Sequence, residues 1–278
     1  MKYFYIILGA IILICVTSLI AGAKWLKVRR YSVITPKLDN NNGILRILLI
    51  SDLHEKSFGK NNIHLIEKIE AILPDMIVVA GDVADTYGKV GGAYEPLFEA
   101  LPKIAPTYLV LGNHEFSSHR DIEISGMATN AGIRLLDDEC DVFRFGSDMI
   151  NVIGLGDKAR ENIVCTPYSE RLDYIPVTDF VKRFSILICH RPEELDAFSK
   201  RGIDLMLSGH THGGQMRLPF IGGVFSPMSR KLFPKYDMGH YGIRDMNLVI
   251  TSGLGASVIP LRLFNRPEIA VIDVEGEA

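Results

Sequence analysis

Hydrophobic positions along the chain fall into two patterns. From Tyr3 to Ala23 they are almost unbroken, a stretch of about 21 residues in which Thr17 and Ser18 are the only hydroxyl side chains among aliphatic, aromatic and small ones besides Tyr3 and Tyr5. A helix of that length, at roughly 1.5 Å per residue, crosses roughly 30 Å of hydrocarbon. The pattern therefore predicts a transmembrane anchor over residues 1–23. The competing reading is a cleaved secretory signal, because Ala21-Gly22-Ala23 has the small-x-small form of a cleavage site. Against it, the apolar run exceeds the roughly 7–15 residues of a signal core, and Lys2 is the one charged side chain before it. Lys24, Lys27, Arg29 and Arg30 follow the run, which by the positive-inside rule favours a cytoplasmic catalytic domain on a single-pass membrane protein.

After a connector over residues 24–43, the second pattern begins. Short, continuous apolar runs at 44–51, 76–80, 107–111, 149–155, 184–189, 205–208, 248–251 and 268–274 predict strands, and 62–73, 94–101, 121–131 and 192–200 have helical spacing. Strands without polar alternation are buried on both faces, so the class is α/β, with helices covering a mixed sheet system in one catalytic domain over residues 44–275.

Composition adds little except by exclusion. With 47% hydrophobic and 23% charged residues the chain is an ordinary folded protein, and a net charge of -3 gives no basic footprint for a dedicated nucleic-acid binder. Outside the apolar segment, Cys140, Cys165 and Cys189 are odd in number and have no framework spacing, which reads as reduced thiols.

Candidate chemistry lies at the ends of the predicted strands. Five runs end in clusters of metal-ligand residue types: Ser51-Asp52-Leu53-His54, Gly81-Asp82-Val83-Ala84-Asp85, Gly112-Asn113-His114-Glu115, Cys189-His190-Arg191 and Gly209-His210-Thr211-His212. In α/β sheets, ligands bind beyond the carboxyl ends of strands, so the clusters are expected to converge. Carboxylates, an amide oxygen and imidazoles suit Mn, Fe or Zn. Cys189 directly precedes His190, and alternation along a strand turns it the other way, into the core. His64 and His119 fit solvated or capping roles, while His240 lies in a segment that could approach a substrate. The irregular apolar stretch 217–241, with Phe220 and Phe225, is open to three readings: a substrate wall, a membrane-facing lid or a buried crossover.

The ordered set Asp-x-His, Gly-Asp-x-x-Asp, Gly-Asn-His-Glu, a lone His after a strand and Gly-His-Thr-His resembles the calcineurin-like metallophosphoesterase family. Gly213-Gly214-Gln215, Phe233-Pro234-Lys235-Tyr236 and Phe264-Asn265-Arg266-Pro267-Glu268-Ile269 resemble its membrane-anchored bacterial branch. The resemblance implies two facing mixed β-sheets flanked by helices, the metallophosphoesterase sandwich. It implies two divalent metal ions (Mn, Fe or Zn), one on Asp52, His54 and His212 and one on Asn113, His190 and His210, with Asp82 bridging. His114 is then the catalytic, non-ligand histidine, and Asp85 and Glu115 are expected as residues that fix the loops. The implied activity is hydrolysis of a phosphomonoester or phosphodiester by in-line attack of water activated between the metals. The substrate would be a small-molecule, lipid-linked or sugar-nucleotide phosphoester met at the lipid bilayer. A phosphoprotein phosphatase and a catalytically inactive interaction scaffold are the alternatives.

Overall fold

A computed structural model describes residues 2–85, 92–157, 166–224, 232–256 and 261–277. Helix α1 (Lys2–Lys24) is followed by strand β1 (Lys27–Thr35), then β2 (Leu45–Ile50), α2 (Ile63–Glu70), β3 (Met76–Ala80), α3 (Tyr94–Ile104) and β4 (Thr107–Val110). Next come α4 (Asn113–Ser117), α5 (Asp121–Ala131), β5 (Arg134–Leu135), β6 (Glu139–Phe145), β7 (Asp148–Leu155), α6 (Tyr168–Leu172), β8 (Ser185–Cys189), α7 (Leu195–Ser199) and β9 (Leu205–Ser208). The chain closes with β10 (Arg217–Leu218), β11 (Gly222–Gly223), β12 (Gly239–Ile243), β13 (Met246–Ile250) and β14 (Glu268–Gly276).

Two mixed six-stranded sheets result, ordered β1-β14-β2-β3-β4-β5 and β12-β13-β9-β8-β7-β6, with β10 and β11 forming a small separate hairpin. Strand alternation divides the apolar side chains into layers. Leu45, Ile47, Leu49, Met76 and Val78 from the first sheet meet Ile150, Val152, Ile186, Ile188 and Leu207 from the second in the space between them. The opposite faces are covered by helices. Leu48, Ile77 and Val79 pack with Leu65, Ile69, Leu97 and Ile124 of α2, α3 and α5, whereas Leu187, Cys189 and Met206 pack with Leu172 and Phe198 of α6 and α7. Cys189 is thus a core thiol, as its alternation with His190 predicts, and burial pushes it far above the ordinary thiol range.

Within each sheet the strands that precede the polar clusters are parallel: β2, β3 and β4 in one, β8 and β9 in the other. Their carboxyl ends therefore lie along one edge of each sheet, and the sandwich brings the two edges together.

The predicted strands are all present, but the sequence pattern missed some at the sheet edges. Residues 24–43, expected as a connector, contain β1, which pairs parallel with β14 from Lys27↔Glu268 to Thr35↔Gly276. Only Trp25 and Leu26 separate it from α1. The helix expected at 192–200 is shortened to α7, because Glu194 sits in a left-handed conformation (φ 54°) at its start. The stretch 217–241 opens with the β10–β11 hairpin, whose tip residue Phe220 is fully exposed, with Ile221 also exposed, so this part is no buried crossover. Phe225 lies outside the described residues.

Helix α1 is long and apolar enough to cross a membrane: Tyr3–Lys24 has a mean hydropathy of 2.7 and contributes nothing to the core. Its last turns touch the domain. The Phe264 amide donates to Ser18 Oγ at 2.6 Å, and Gly22 lies so close to the Arg262 carbonyl that a Cβ there would overlap it.

Candidate metal centre

The loops leaving β2, β3, β4, β8 and β9 bring the expected residues together. Asp52, His54 and His212 form one group of close donor atoms, Asp82, His190 and His210 a second, and His54, Asp82 and His114 a third that joins them. Asp52, His54, Asp82, His190, His210 and His212 are all buried. His54 Nε2 and His212 Nε2 are 3.2 Å apart, and so are His190 Nε2 and His210 Nδ1. Asp82 Oδ2 is 3.1 Å from His190 Nε2 and 3.8 Å from His54 Nε2, and Asp52 Oδ1 is 3.5 Å from His212 Nε2. Donors about 2.1 Å from one shared ion sit roughly 3.0–3.4 Å from each other, so these spacings suit divalent cations.

The backbone is bent to achieve this convergence. Asp52, His54, Asp82, His210 and His212 all have positive φ, between 45° and 66°. A left-handed conformation costs a side chain with a Cβ roughly 1 kcal/mol or more, and such strain concentrates at functional sites. Two glycines make room. At Gly112 a Cβ would overlap the Asp82 carboxylate, and at Gly209 one would overlap the Ser51 hydroxyl.

Partners outside the cluster hold its members in place. Ser51 donates to Asp52, whose carboxylate also accepts the His210 N–H at 3.1 Å. His190 Nδ1 meets the Ala80 carbonyl at 2.7 Å, which fixes the ring at the seam between β8 and β3. Glu115 accepts N–H bonds from Asp82 (3.0 Å), Ala84 (3.0 Å) and Gly112 (2.7 Å). It thereby ties two of the loops together, in keeping with its expected role. Burial, with the Asp82 charge adding to it, pushes the Glu115 carboxyl up to about 7.

Charge in the cluster is unevenly distributed. Burial holds His54 below the ordinary imidazole range and His210 and His212 far below it, which favours the neutral form that a metal ligand needs. His190 differs: burial opposes its charge, yet Asp82 at hydrogen-bond distance, helped by Asp52 and Asp157, raises it to about 10. In the same pair, burial would raise Asp82, but the His190 charge and hydrogen bond hold it well below the usual carboxylate range. Asp82 thus draws positive charge onto His190, the charge that a cation held at this position would supply in its place. The Asn113 side-chain oxygen is buried with no hydrogen-bond partner, as are Nδ1 of His54 and Nδ1 of His212. An orphaned amide oxygen and this donor set fit metal ions, which these residues could hold.

His114 stands beside the cluster. Its ring meets that of His54 edge-on at 4.6 Å, its Nδ1 is 3.3 Å from Asp85 Oδ1, and its amide donates to Asp82 Oδ1 at 2.9 Å. His240 is elsewhere, on β12, where its Nε2 meets Asn247 Oδ1. Two contributors, Arg191 and Asn265, stand in motifs noted in the sequence but carry no assigned role there. Arg191 is held by Asp157 at 2.7 Å and brings Nη1 to 3.5 Å from His210 Nε2. Asn265 donates to the His212 carbonyl at 2.7 Å from the loop before β14. Arg191 was visible as the cation following His190, whereas Asn265 is 53 residues from its partner.

The calcineurin-like phosphoesterase family model matches residues 45–214, which run from β2 through the last of the polar clusters, and the chain belongs to that family. It is 28% identical to phosphodiesterase YaeI of Escherichia coli over 84% of each chain. It is 30% identical to metallophosphoesterase Cj0846 of Campylobacter jejuni, over 91% of this chain and 65% of that one. Among solved structures, TT1561 of Thermus thermophilus aligns at a TM-score of 0.47 and 13% identity, over 76% of this chain and 90% of the other. Family and relatives indicate a metal-dependent phosphoesterase, a hydrolase.

Proposed function

We propose that the protein is a dimetal phosphoesterase anchored in a membrane by α1, with Asp52, His54 and His212 holding one divalent cation, Asn113, His190 and His210 the other, and Asp82 shared. The observation that carries this reading is the convergence of two buried carboxylates, four buried imidazoles and an unpartnered amide oxygen at one edge of the sandwich. When bound, two such ions neutralise phosphoryl oxygens and lower the pKa of water until it can attack near neutral pH.

The chain's own residues supply the rest. Asp82 offers charge to both halves of the cluster. His114, oriented by Asp85, holds a proton for the leaving oxygen on the side away from the nucleophile. Arg191, kept in place by Asp157, presents a fixed cation to the phosphoryl group. Cys189 faces the core and takes no part.

The resemblance to a phosphodiesterase supports diesters as the substrate class. The exposed hairpin tip at Phe220 and Ile221, together with the anchor, supports a lipid-linked phosphoester taken from the bilayer surface. The cations that follow α1 support a cytoplasmic catalytic domain. The test is hydrolysis of bis(p-nitrophenyl) phosphate and p-nitrophenyl phosphate by the full chain in detergent, stripped with a chelator and then given Mn, Fe or Zn. The expected result is metal-restored turnover, faster on the diester; no turnover of either with any metal refutes the reading.

A further inference from the structure

Two cavities flank the last turn of α1 where it meets the catalytic domain. One, of about 270 Å³, lies among Leu19, Gly22, Lys56, Leu261 and Arg262. The other, of about 430 Å³, adjoins it through Ala23 and is lined by Lys24, His64 and Lys68. No carboxylate among the described residues lines either cavity. Among the described residues Lys24, Lys56 and Lys68 enter no ion pair, and Lys56 rests over the Phe58 ring.

Arg262 is the second observation. It is buried, 3% exposed, and donates through Nε to the Gly255 carbonyl at 2.7 Å and through Nη2 to the Ser252 carbonyl at 2.6 Å, while Nη1 has no acceptor. Neither carboxylate whose charge reaches it bonds it: Asp52 sits in the metal cluster, and Glu268 bonds Arg29 at 2.8 Å through Oε2 while its Oε1 has no hydrogen-bond partner. A buried guanidinium with an unmet donor, at the wall of a cavity that also holds Lys56 and adjoins one lined by Lys24 and Lys68, calls for an anion.

The arrangement has the order of a bilayer. The cations surround the end of α1, where its apolar run stops at Lys24. Exposed apolar residues lie further along the helix axis, toward the amino terminus. Phe264 bonds Ser18, six residues or about 9 Å from Lys24, and Phe264 also lines a cavity with Phe220 and Ile221 of the hairpin tip. Charge at headgroup level and aromatics at acyl level are what a membrane-bound surface presents.

We propose that the cavity between the last turn of α1 and Lys56 and Arg262 binds the phosphate of an anionic phospholipid, with Lys24 and Lys68 adding to the attraction. The proposal rests on the reading of α1 as a span and concerns a site separate from the metal cluster. Its test is native mass spectrometry of the full chain in detergent with equal phosphatidylglycerol and phosphatidylcholine. The expected result is a retained phosphatidylglycerol adduct favoured about tenfold. The preference should be lost in the Lys56→Gln/Lys68→Gln double variant, since each cation near an anionic surface contributes about a fivefold effect. It should survive in Lys56→Arg, and all three chains should hydrolyse bis(p-nitrophenyl) phosphate within twofold of each other. Equal retention of both lipids, or an unchanged preference in the double variant, overturns the proposal. Displacement of the lipid by millimolar glycerol 3-phosphate also overturns it, by making the cavity a site for soluble phosphate. Resistance to alkaline extraction from membranes and turnover of the diester are read separately, so a chain that passes both and shows no lipid preference discards this proposal alone.

Discussion

In the half of the cluster built from Asp82, His190 and His210, one nitrogen of His190 is tied to the Ala80 carbonyl at 2.7 Å while the other faces Asp82 at 3.1 Å. In the half built from Asp52, His54 and His212, both Nδ1 atoms are buried with no hydrogen-bond partner. A hydrogen bond at the far nitrogen of an imidazole selects its tautomer and fixes its plane, so the first half is organised before any ion arrives. The second is held by the chain only through Asp52, which Ser51 and the His210 amide keep in place. The comparison teaches that two halves with similar donor types need not be equally preorganised, because the difference lies in the atoms behind the donors.

The harshest test of this comparison removes the residue common to both halves. Asp82→Asn keeps the shape and loses the charge that separates two cations. It is expected to lose most bound metal and at least about 10³ in turnover, a drop that exceeds a single missing general acid. Metal analysis and diester hydrolysis check this, with circular dichroism to show that the fold persists; near-parental metal content would dissolve the two-halves picture altogether.

His114→Ala separates holding metal from using it. Both ions should remain bound while turnover falls roughly 10²–10⁴, the scale of proton-transfer assistance, and the loss should shrink for substrates with nitrophenolate as leaving group. Metal lost in step with activity would instead move His114 into the donor set with His54 and Asp82, to which it is close enough.

A chelator titration sharpens the contrast further. The half with unpartnered Nδ1 atoms should release its ion at about 10-fold lower chelator concentration, the lower end of what partners behind the ligands usually contribute. His54→Ala should then abolish only the early step, while His190→Ala should disturb both, because His190 also holds Asp82. A single step in the parent chain would count against unequal halves. The smallest effect is expected outside both: Cys189→Ala, on the covered face of β8, should change turnover less than twofold.

Much of this architecture is legible in the order of residues. β2, β3, β4, β8 and β9 are continuous apolar runs because helices cover one face and the facing sheet covers the other, and each ends in residues the core cannot accept. Edge strands lack that signature. In β1 the residues Lys27, Arg29 and Arg30 read as the charged flank of α1, yet they belong to a strand whose alternate positions face solvent. In β6 the sequence ECDVFRF alternates between exposed and half-buried and carries no fully buried residue. Within the site, the donors were visible as short motifs next to strand ends. Their supports were not, since Asp157 is 34 residues from Arg191 and Asn265 is 53 from His212, and only the fold makes them neighbours.

The short link between α1 and β1 restricts how the active edge can move. With two residues between the helix and a strand paired along nine positions, and with Gly22 and Ser18 already against the domain, the catalytic unit has almost no tether on which to swing. If α1 lies in a bilayer, the active edge is confined to a layer a few nanometres deep and searches it by lateral diffusion. Encounter with a lipid-linked molecule then scales with how many occupy each unit of area, and diluting the surrounding solution leaves that frequency unchanged, while adding inert lipid lowers it.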